Sequence, residues 1–402
     1  MRYQTSRLSS FFLIASCAAL GSAAAAGPAG RVSGGAHERA ALVLEKDAYG
    51  DGASRVVYLD QGWSPPESQW FYHADQGSVL LPYHLLVHLE QAGNEKPLLE
   101  PENMARFRFL NQHKTLDNPD ALPIGFARHQ DQVGLTCAAC HTAQINYRGT
   151  AIRIDGGPAL IDVSGFFRAL KDSIDTTLQS EAKLDRFVAA VGGLGPLDKR
   201  RAAARARLQQ SSDWFQSYFV GNPAPTTEGF ARLDAVGRIL NQAIRFTSDY
   251  KNGLPVNAPT SFPLLWDAPR HDYVQWTGFA PNAGAGGLGR NTGEVVGVFG
   301  HVEVKHYETK EQAKRGYPST INSPALVAME ESLRGLQSPL WPEQILPPID
   351  RKLAARGQVL YKAQCESCHA LIVRDDPKRH VTAIMTGTDV VHGARIRMAD
   401  VD

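Results

Sequence analysis

Two short runs of the chain carry chemistry in their spacing. Cys137-Ala138-Ala139-Cys140-His141 and Cys365-Glu366-Ser367-Cys368-His369 both read Cys-x-x-Cys-His, and they use four of the five cysteines in the 402 residues. Two cysteines at this spacing sit on one helical turn and reach neighbouring vinyl groups of one porphyrin. The next residue then turns its imidazole under the ring. This is the attachment pattern of a c-type haem, with thioethers from the cysteines and a proximal iron ligand from the histidine. The spacing assigns two covalently bound haem c groups: one on Cys137, Cys140 and His141, the other on Cys365, Cys368 and His369. Other readings fit less well. Structural zinc pairs its knuckles about 15–20 residues apart, not at positions 137 and 365. A thioredoxin-like dithiol explains neither the second motif nor the repeated histidine. Disulfides suit an exported protein, but tight Cys-x-x-Cys loops are a poor staple for a chain this long.

Each iron has a second axial face. Filled by a protein ligand, it makes a six-coordinate electron carrier; left open, it admits peroxide or dioxygen. The other histidines of the mature chain are His37, His73, His84, His88, His113, His129, His271, His301, His306, His380 and His392. Most read as ordinary surface or core residues. Met385 and Met398 are ligand candidates for the second haem, although Met385 follows His369 closely for a return over the ring.

The elements that must hold these motifs read as mostly helical. Apolar residues recur at helical spacing over Val163–Leu178, Glu181–Val191, Leu197–Phe219 and Gly229–Phe246. Another helix is expected to open with Ser323 as N-cap and Pro324 in its first turn and to run to about Leu336. Asp350, after Pro347-Pro348, caps the helix leading into Cys365, in which Leu353, Gly357, Leu360 and Tyr361 recur. Gly357 there suggests a close helix crossing, and Tyr361 a contact with the haem edge. Strands are few and short: Arg55–Leu59 and Val302–His306 alternate polar with apolar residues. Gly284-Ala285-Gly286-Gly287-Leu288-Gly289 matches the dinucleotide pattern formally, but with no strand signal before it the run reads as a flexible loop.

Arg2 and Arg7, an apolar run from Phe11 to Leu20 and small residues from Ser22 to Gly27 describe a secretory signal peptide over residues 1–26, cleaved after Ala24 or Ala26. The alternative is a lipobox, Ile14-Ala15-Ser16-Cys17, with a lipid anchor on Cys17; it ranks second because its apolar centre is only about six residues, below the usual 7–15. No later segment spans a bilayer, so a periplasmic or secreted protein is expected. Lysine plus arginine number 42 against 41 acids, which gives no reason to expect a nucleic-acid partner. Hydrophobic residues at 43% exclude wholesale disorder. The expected organisation is an N-terminal segment (27–120), a first haem domain with a helical insertion (121–345) and a second cytochrome c-like haem domain (346–402).

The stretch Gly134-Leu135-Thr136-Cys137 through Gln144-Ile145-Asn146-Tyr147, continuing to Arg153-Ile154-Asp155-Gly156-Gly157-Pro158-Ala159, resembles exported di-haem cytochromes related to rubber oxygenase. These fall within the bacterial di-haem cytochrome c peroxidase and MauG superfamily. His271-Asp272-Tyr273-Val274-Gln275-Trp276-Thr277-Gly278, Arg290-Asn291-Thr292-Gly293-Glu294-Val295 and the helix leading to Cys365 resemble the same group, so the likeness spans roughly residues 60–400. It implies one haem, by position the first, with an open face for dioxygen or peroxide, and a second six-coordinate haem that handles electrons. It also implies a tryptophan between the haems, for which Trp276 is the candidate; the alternative is an ordinary buried aromatic. The chain ends soon after His369, so the segment that gives relatives the second haem's distal histidine is expected to be missing. The expected fold is mainly α: two cytochrome c-like haem domains with long helical and loop insertions, the second truncated. The expected function is peroxidase- or oxygenase-type redox activity at one haem and electron transfer at the other, served by a redox partner protein or a small oxidant. The alternatives are an electron carrier without its own substrate and an inactive truncated relative.

Overall fold

A computed structural model describes residues 31–116, 118–247, 253–275, 278, 280–367, 369–374, 376–381, 385–388 and 395–397. The expected signal peptide with Cys17, and also Trp276, Cys368, His392 and Met398, lie outside these residues; for Met385 only the backbone is described. The helices are α1 (Pro65–His73), α2 (Tyr83–His88), α3 (Pro101–Arg106), α4 (Cys137–Cys140), α5 (Val163–Gln179), α6 (Glu181–Val191), α7 (Leu197–Gly221), α8 (Ala235–Thr247), α9 (Gly286–Gly297), α10 (Lys310–Ala313), α11 (Ser323–Leu333) and α12 (Arg351–Gln364). The strands are β1 (Val32–Ser33), β2 (Arg55–Leu59), β3 (Leu81–Pro82), β4 (Phe126–His129), β5 (Gln132–Leu135), β6 (Thr142–Tyr147), β7 (Thr150–Asp155), β8 (Arg232–Leu233), β9 (Thr260–Ser261), β10 (Tyr273–Val274), β11 (Ala280–Pro281), β12 (Met385–Thr388) and β13 (Arg395–Arg397).

This is a mixed α/β chain, which corrects the mainly α expectation. Strands β1-β2-β7-β6 form one sheet and β3-β5-β4 a second, with smaller pairs elsewhere. The first motif is held between strands β5 and β6 rather than inside an all-helical haem domain. Strands β6 and β7 close as a hairpin over Arg148-Gly149, both at positive φ (46° and 76°), the two-residue turn that matches strand twist. Strand β7 then pairs in parallel with the distant β2, from Arg55 opposite Thr150 to Tyr58 opposite Arg153. Val302–His306 forms no strand; Val302 makes only an isolated bridge to Ser319. The glycine run, expected as a loop, opens α9 at Gly286, after the antiparallel pair β10–β11 and not after a parallel βαβ strand.

The helices of the middle segment follow their caps and periods. Asp162 accepts the amide of Gly165 at 2.8 Å to start α5, whose buried Val163, Phe166, Phe167, Leu170 and Ile174 lie on one face. Ser180 ends α5 and caps α6, and Gly192 at φ 69° stops it. The expected helix from Gly229 begins later, at Ala235, because Arg232–Leu233 pairs with β9. Asn322, and not Ser323, caps α11, which ends at Leu333, short of Leu336. Phe166, fully buried, meets Phe107, Phe109 and Phe126 at centroid distances of 5.0 to 5.8 Å. Burying one such ring stabilises the fold by roughly 1.5–3 kcal/mol. Beside this core, Trp63, Phe71, Tyr72, Tyr58, Met329 and Leu333 form a second cluster with Cys137 packed against it. No helix among the described residues is long and apolar enough to cross a membrane.

Candidate functional site: two hollows around the Cys-x-x-Cys-His motifs

Helix α4 is a single turn. Thr136 caps it by accepting the amide of Ala138 at 3.3 Å and is anchored in turn by donating to the Tyr72 carbonyl at 3.2 Å. Gly125 makes the seat: at φ 92°, a Cβ there would lie 2.2 Å from the Cα of Ala139. On this turn Cys137 and Cys140 are free thiols facing the same hollow as His141. Burial pushes both thiols up to about 12, so they are protonated and poor nucleophiles, unlike the low-pKa thiol of a redox dithiol. The His141 ring is held from behind. Its Nδ1 lies 2.8 Å from the Pro263 carbonyl oxygen, which can only accept, so Nδ1 carries the proton and Nε2 keeps a lone pair. Burial, the largest influence, holds His141 down to about 4, and the ring is neutral near pH 7. A neutral imidazole with Nδ1–H fixed by a carbonyl is the arrangement of an oriented iron ligand.

Two contiguous spaces flank this turn and share Cys137, His141, Pro263, Gln275 and Glu294 in their walls. They enclose about 1060 and 980 Å³ free of protein atoms, mouths and the solvent in them included. Phe167, Tyr218, Ile239 and Phe262 line one side; Trp266, Met329 and Leu333 line the other. Among the polar residues of the walls, a set on α9 and its neighbours is joined together. Arg290 pairs with Glu330 at 2.5 Å and approaches Glu294 at 3.5 Å, while Gln275 donates to Glu294 at 2.9 Å. Burial raises the Glu294 carboxyl above its ordinary value, and the Arg290 charge opposes that. Gln275 takes a left-handed backbone (φ 70°), a strained conformation for a side chain of this size, beside the carboxyl that it holds.

The second motif sits nearer the surface. Asp350 caps α12 through the amides of Lys352 and Leu353 at 2.9 and 3.0 Å, as its place before the helix implied, but no residue of α12 is buried. The crossing inferred from Gly357 is absent, since a Cβ there would meet nothing within 4 Å. Cys365, His369 and Tyr361 line a hollow of about 1350 Å³, mouth included, with Trp266, His271, Arg374 and Arg379 in its walls. The Tyr361 hydroxyl donates to the His369 carbonyl. The chain after the motif folds back: Arg379 pairs with Asp267 at 2.7 Å and Val381 bridges to His271.

Trp266 and His271 line both the first hollow and the second. The Trp266 indole donates to the Asp155 carbonyl at 2.8 Å, and Gly156 leaves room under the ring, because a Cβ there would lie 3.0 Å from the indole nitrogen. The structure thus brings Cys137, Cys140 and His141 together, and Cys365 with His369, with Cys368 outside the described residues. Trp276, expected between the haems, also lies outside them; Trp266 stands between the two hollows. Sequence reasoning gave no role to Trp266, Glu294 or the Pro263 carbonyl. Arg290 and Glu294 stood only within the stretch Arg290–Val295 that carries the family resemblance.

The chain is 32% identical over 359 residues to the uncharacterized protein y4iJ of Sinorhizobium fredii, an alignment covering 78% of this chain. It spans 58% of the length of that relative. No family model matches, and no solved structure matches.

Proposed function

We infer that the chain is an exported di-haem c-type cytochrome, related to the di-haem cytochrome c peroxidase and MauG proteins, with peroxidase- or oxygenase-type activity at the first haem and electron transfer at the second. One observation carries the reading: His141, next to two free cysteines on one helical turn, is neutral, tethered through Nδ1 to Pro263, and open to a large apolar hollow. Cys137 and Cys140 would hold the first haem by thioethers with His141 on its iron; Cys365, Cys368 and His369 would hold the second. When bound, the haem iron supplies the redox chemistry toward peroxide or dioxygen.

The chain's own residues divide the remaining work. The apolar walls from Phe167, Tyr218, Phe262 and Leu333 exclude bulk water, which strengthens every charge interaction inside. The Glu294 carboxylate, oriented by Gln275 and Arg290, is the group in this hollow that would take up or hand back a proton beside a bound oxidant. Arg290, itself held by Glu330 and Asn291, keeps that carboxylate in place. Trp266, in the wall of both hollows, is the aromatic stepping point for electrons between them. Export and a periplasmic or secreted location follow from the N-terminal signal.

Expression in a strain that matures c-type cytochromes tests this. Intact mass should show two haems, falling to one in Cys137→Ala/Cys140→Ala and in Cys365→Ala/Cys368→Ala. The resting spectrum should change on adding hydrogen peroxide or dioxygen. Failure to attach haem removes the reading; two low-spin haems unresponsive to either oxidant would leave a plain electron carrier.

A further inference from the structure

We propose that Tyr72 is an internal electron donor to the first haem, with the Asp155 carboxylate as the acceptor of its phenolic proton. The proposal rests on the di-haem reading and deepens its first site. Peroxide removes an electron pair from the centre that reduces it. A tyrosine that makes good part of that loss must also shed a proton, because a phenol stripped of an electron is a strong acid. What marks such a tyrosine is a base on its hydroxyl. Tyr58, Tyr72 and Tyr218 are the buried tyrosines among the described residues. The Tyr58 hydroxyl makes no hydrogen bond of good geometry. The Tyr218 hydroxyl accepts from the Arg238 guanidinium at 2.9 Å, a cation that takes no proton. Tyr72 alone donates to a carboxylate, at Asp155 Oδ1.

The pair is fixed from both sides. Ser68 and Tyr72 lie one turn apart on α1 and reach the two oxygens of Asp155, Ser68 at 2.8 Å. The Asp155 carbonyl takes the Trp266 indole at 2.8 Å, and the next amide, of Gly156, donates to the His141 carbonyl at 3.0 Å. On the other side, the Tyr72 carbonyl accepts the hydroxyl of Thr136, the cap of α4, and the amide of Gly125, its seat. The Tyr72 ring belongs to the cluster that encloses Ala138 and carries Cys137 against it. Tyr72 thus stands behind the turn that would bear the haem, in the wall of neither hollow and 0% exposed, where substrate and bulk water do not reach it. Burial raises its hydroxyl well above the usual range, so the proton stays until an electron leaves. Burial also raises the Asp155 carboxyl, which favours taking up that proton, while Arg39 and Arg153 oppose it. In the step, one electron passes from Tyr72 to the peroxide-oxidised first haem. The phenolic O–H breaks and the proton bonds to Asp155, leaving a neutral tyrosyl radical beside a neutral carboxyl. Reduction of the radical returns the proton along the same hydrogen bond. An oxidising equivalent is thereby held inside the protein when the second haem delivers no electron.

The test mixes the full-length two-haem protein with hydrogen peroxide in the absence of reductant and reads electron paramagnetic resonance after freezing. Mass and the visible spectrum are read first. Missing haem, or haem that ignores peroxide, fails the functional reading itself and takes the proposal with it. With both satisfied, wild type should show an organic radical whose hyperfine pattern changes on ring-deuterated tyrosine and which forms more slowly in deuterium oxide. Tyr72→Phe keeps the ring in its cluster and should lose the signal, with both haems and their response to peroxide retained. Tyr58→Phe should keep it. Asp155→Asn, of the same shape but unable to take the proton, should lose it as well. If that variant does not fold, Tyr72→Phe and the solvent isotope effect decide. A signal that survives Tyr72→Phe, one indifferent to tyrosine deuteration, or a peroxide-responsive haem with no organic radical overturns the proposal.

Discussion

Glu294 shows how much chemistry a single placement carries. Its carboxyl faces a largely apolar hollow, takes a hydrogen bond from Gln275 and lies 3.5 Å from Arg290, and burial still raises it above its ordinary value of 4.5. A base that must be ionised loses activity as pH falls through its own pKa. The acid limb of the peroxide reaction should therefore lie above pH 4.5 and not below it. Replacing Glu294 with Gln should lower the rate by roughly 10²–10⁴ and remove that limb, with both haems still attached. Unchanged kinetics in that variant would exclude the proton role. Trp266 makes a separate prediction at the same scale. Trp266→Phe keeps an aromatic ring but loses the indole bond to Asp155; it should leave both haem spectra intact while slowing reduction of the first haem through the second, read by stopped-flow. These residues come from parts of the chain far from either motif, and their types are commonplace, so nothing local marked them. The motifs were legible because thioether and ligand chemistry is confined to five consecutive positions.

Between residues and molecule, the elements divide by how local their causes are. Helices α5, α6 and α12 were readable because caps and apolar period lie inside each segment: Asp162, Ser180 and Asp350 all accept the amides their positions imply. The hairpin β6–β7 was not among the strands expected from the sequence, and its pairing with β2, which was, is set by burial of Tyr58 and Ile152 against distant residues, which no local period encodes. The glycine run failed in the opposite sense. Helix α9 has only Ala285 at its cap and no capping side chain, and it stands because α8 and α11 pack on it and Arg290 reaches Glu330. The seat of α4 gives the prediction proper to this scale. Gly125→Ala puts a Cβ into the Ala139 backbone and strains a φ of 92°. Overpacking of this kind costs roughly 1–3 kcal/mol, concentrated on the turn that must present two thiols to one porphyrin. Maturation should yield mainly a one-haem species with the second motif loaded; full two-haem loading would show that α4 tolerates the shift.

Across the whole molecule the two motifs differ in what supports them. The first lies among buried residues from α1, β4 and β5, with Ala138 and Ala139 at its centre almost wholly enclosed. The second follows α12, where Leu353, Val359 and Leu360 remain 61, 68 and 59% exposed and no residue is buried. Helical stability in proteins comes mostly from packing an apolar face, and a helix of this length is marginal without it. In the haem-free chain, α12 should therefore exchange its amides through local opening at little free-energy cost, whereas α5, with eight buried positions, should exchange only near global unfolding. Haem attachment would change the balance most for α12, because Cys365 at its C-terminal cap and His369 beyond it would both be bonded to one rigid group. Hydrogen exchange followed by mass spectrometry on the haem-free and two-haem forms measures this directly. Protection should rise sharply over residues 351–364 on loading and stay nearly level over 163–179. Equal protection of the two helices before loading would show that α12 is already held by contacts other than those described, and the second hollow would then be a preformed site and not one completed by its haem.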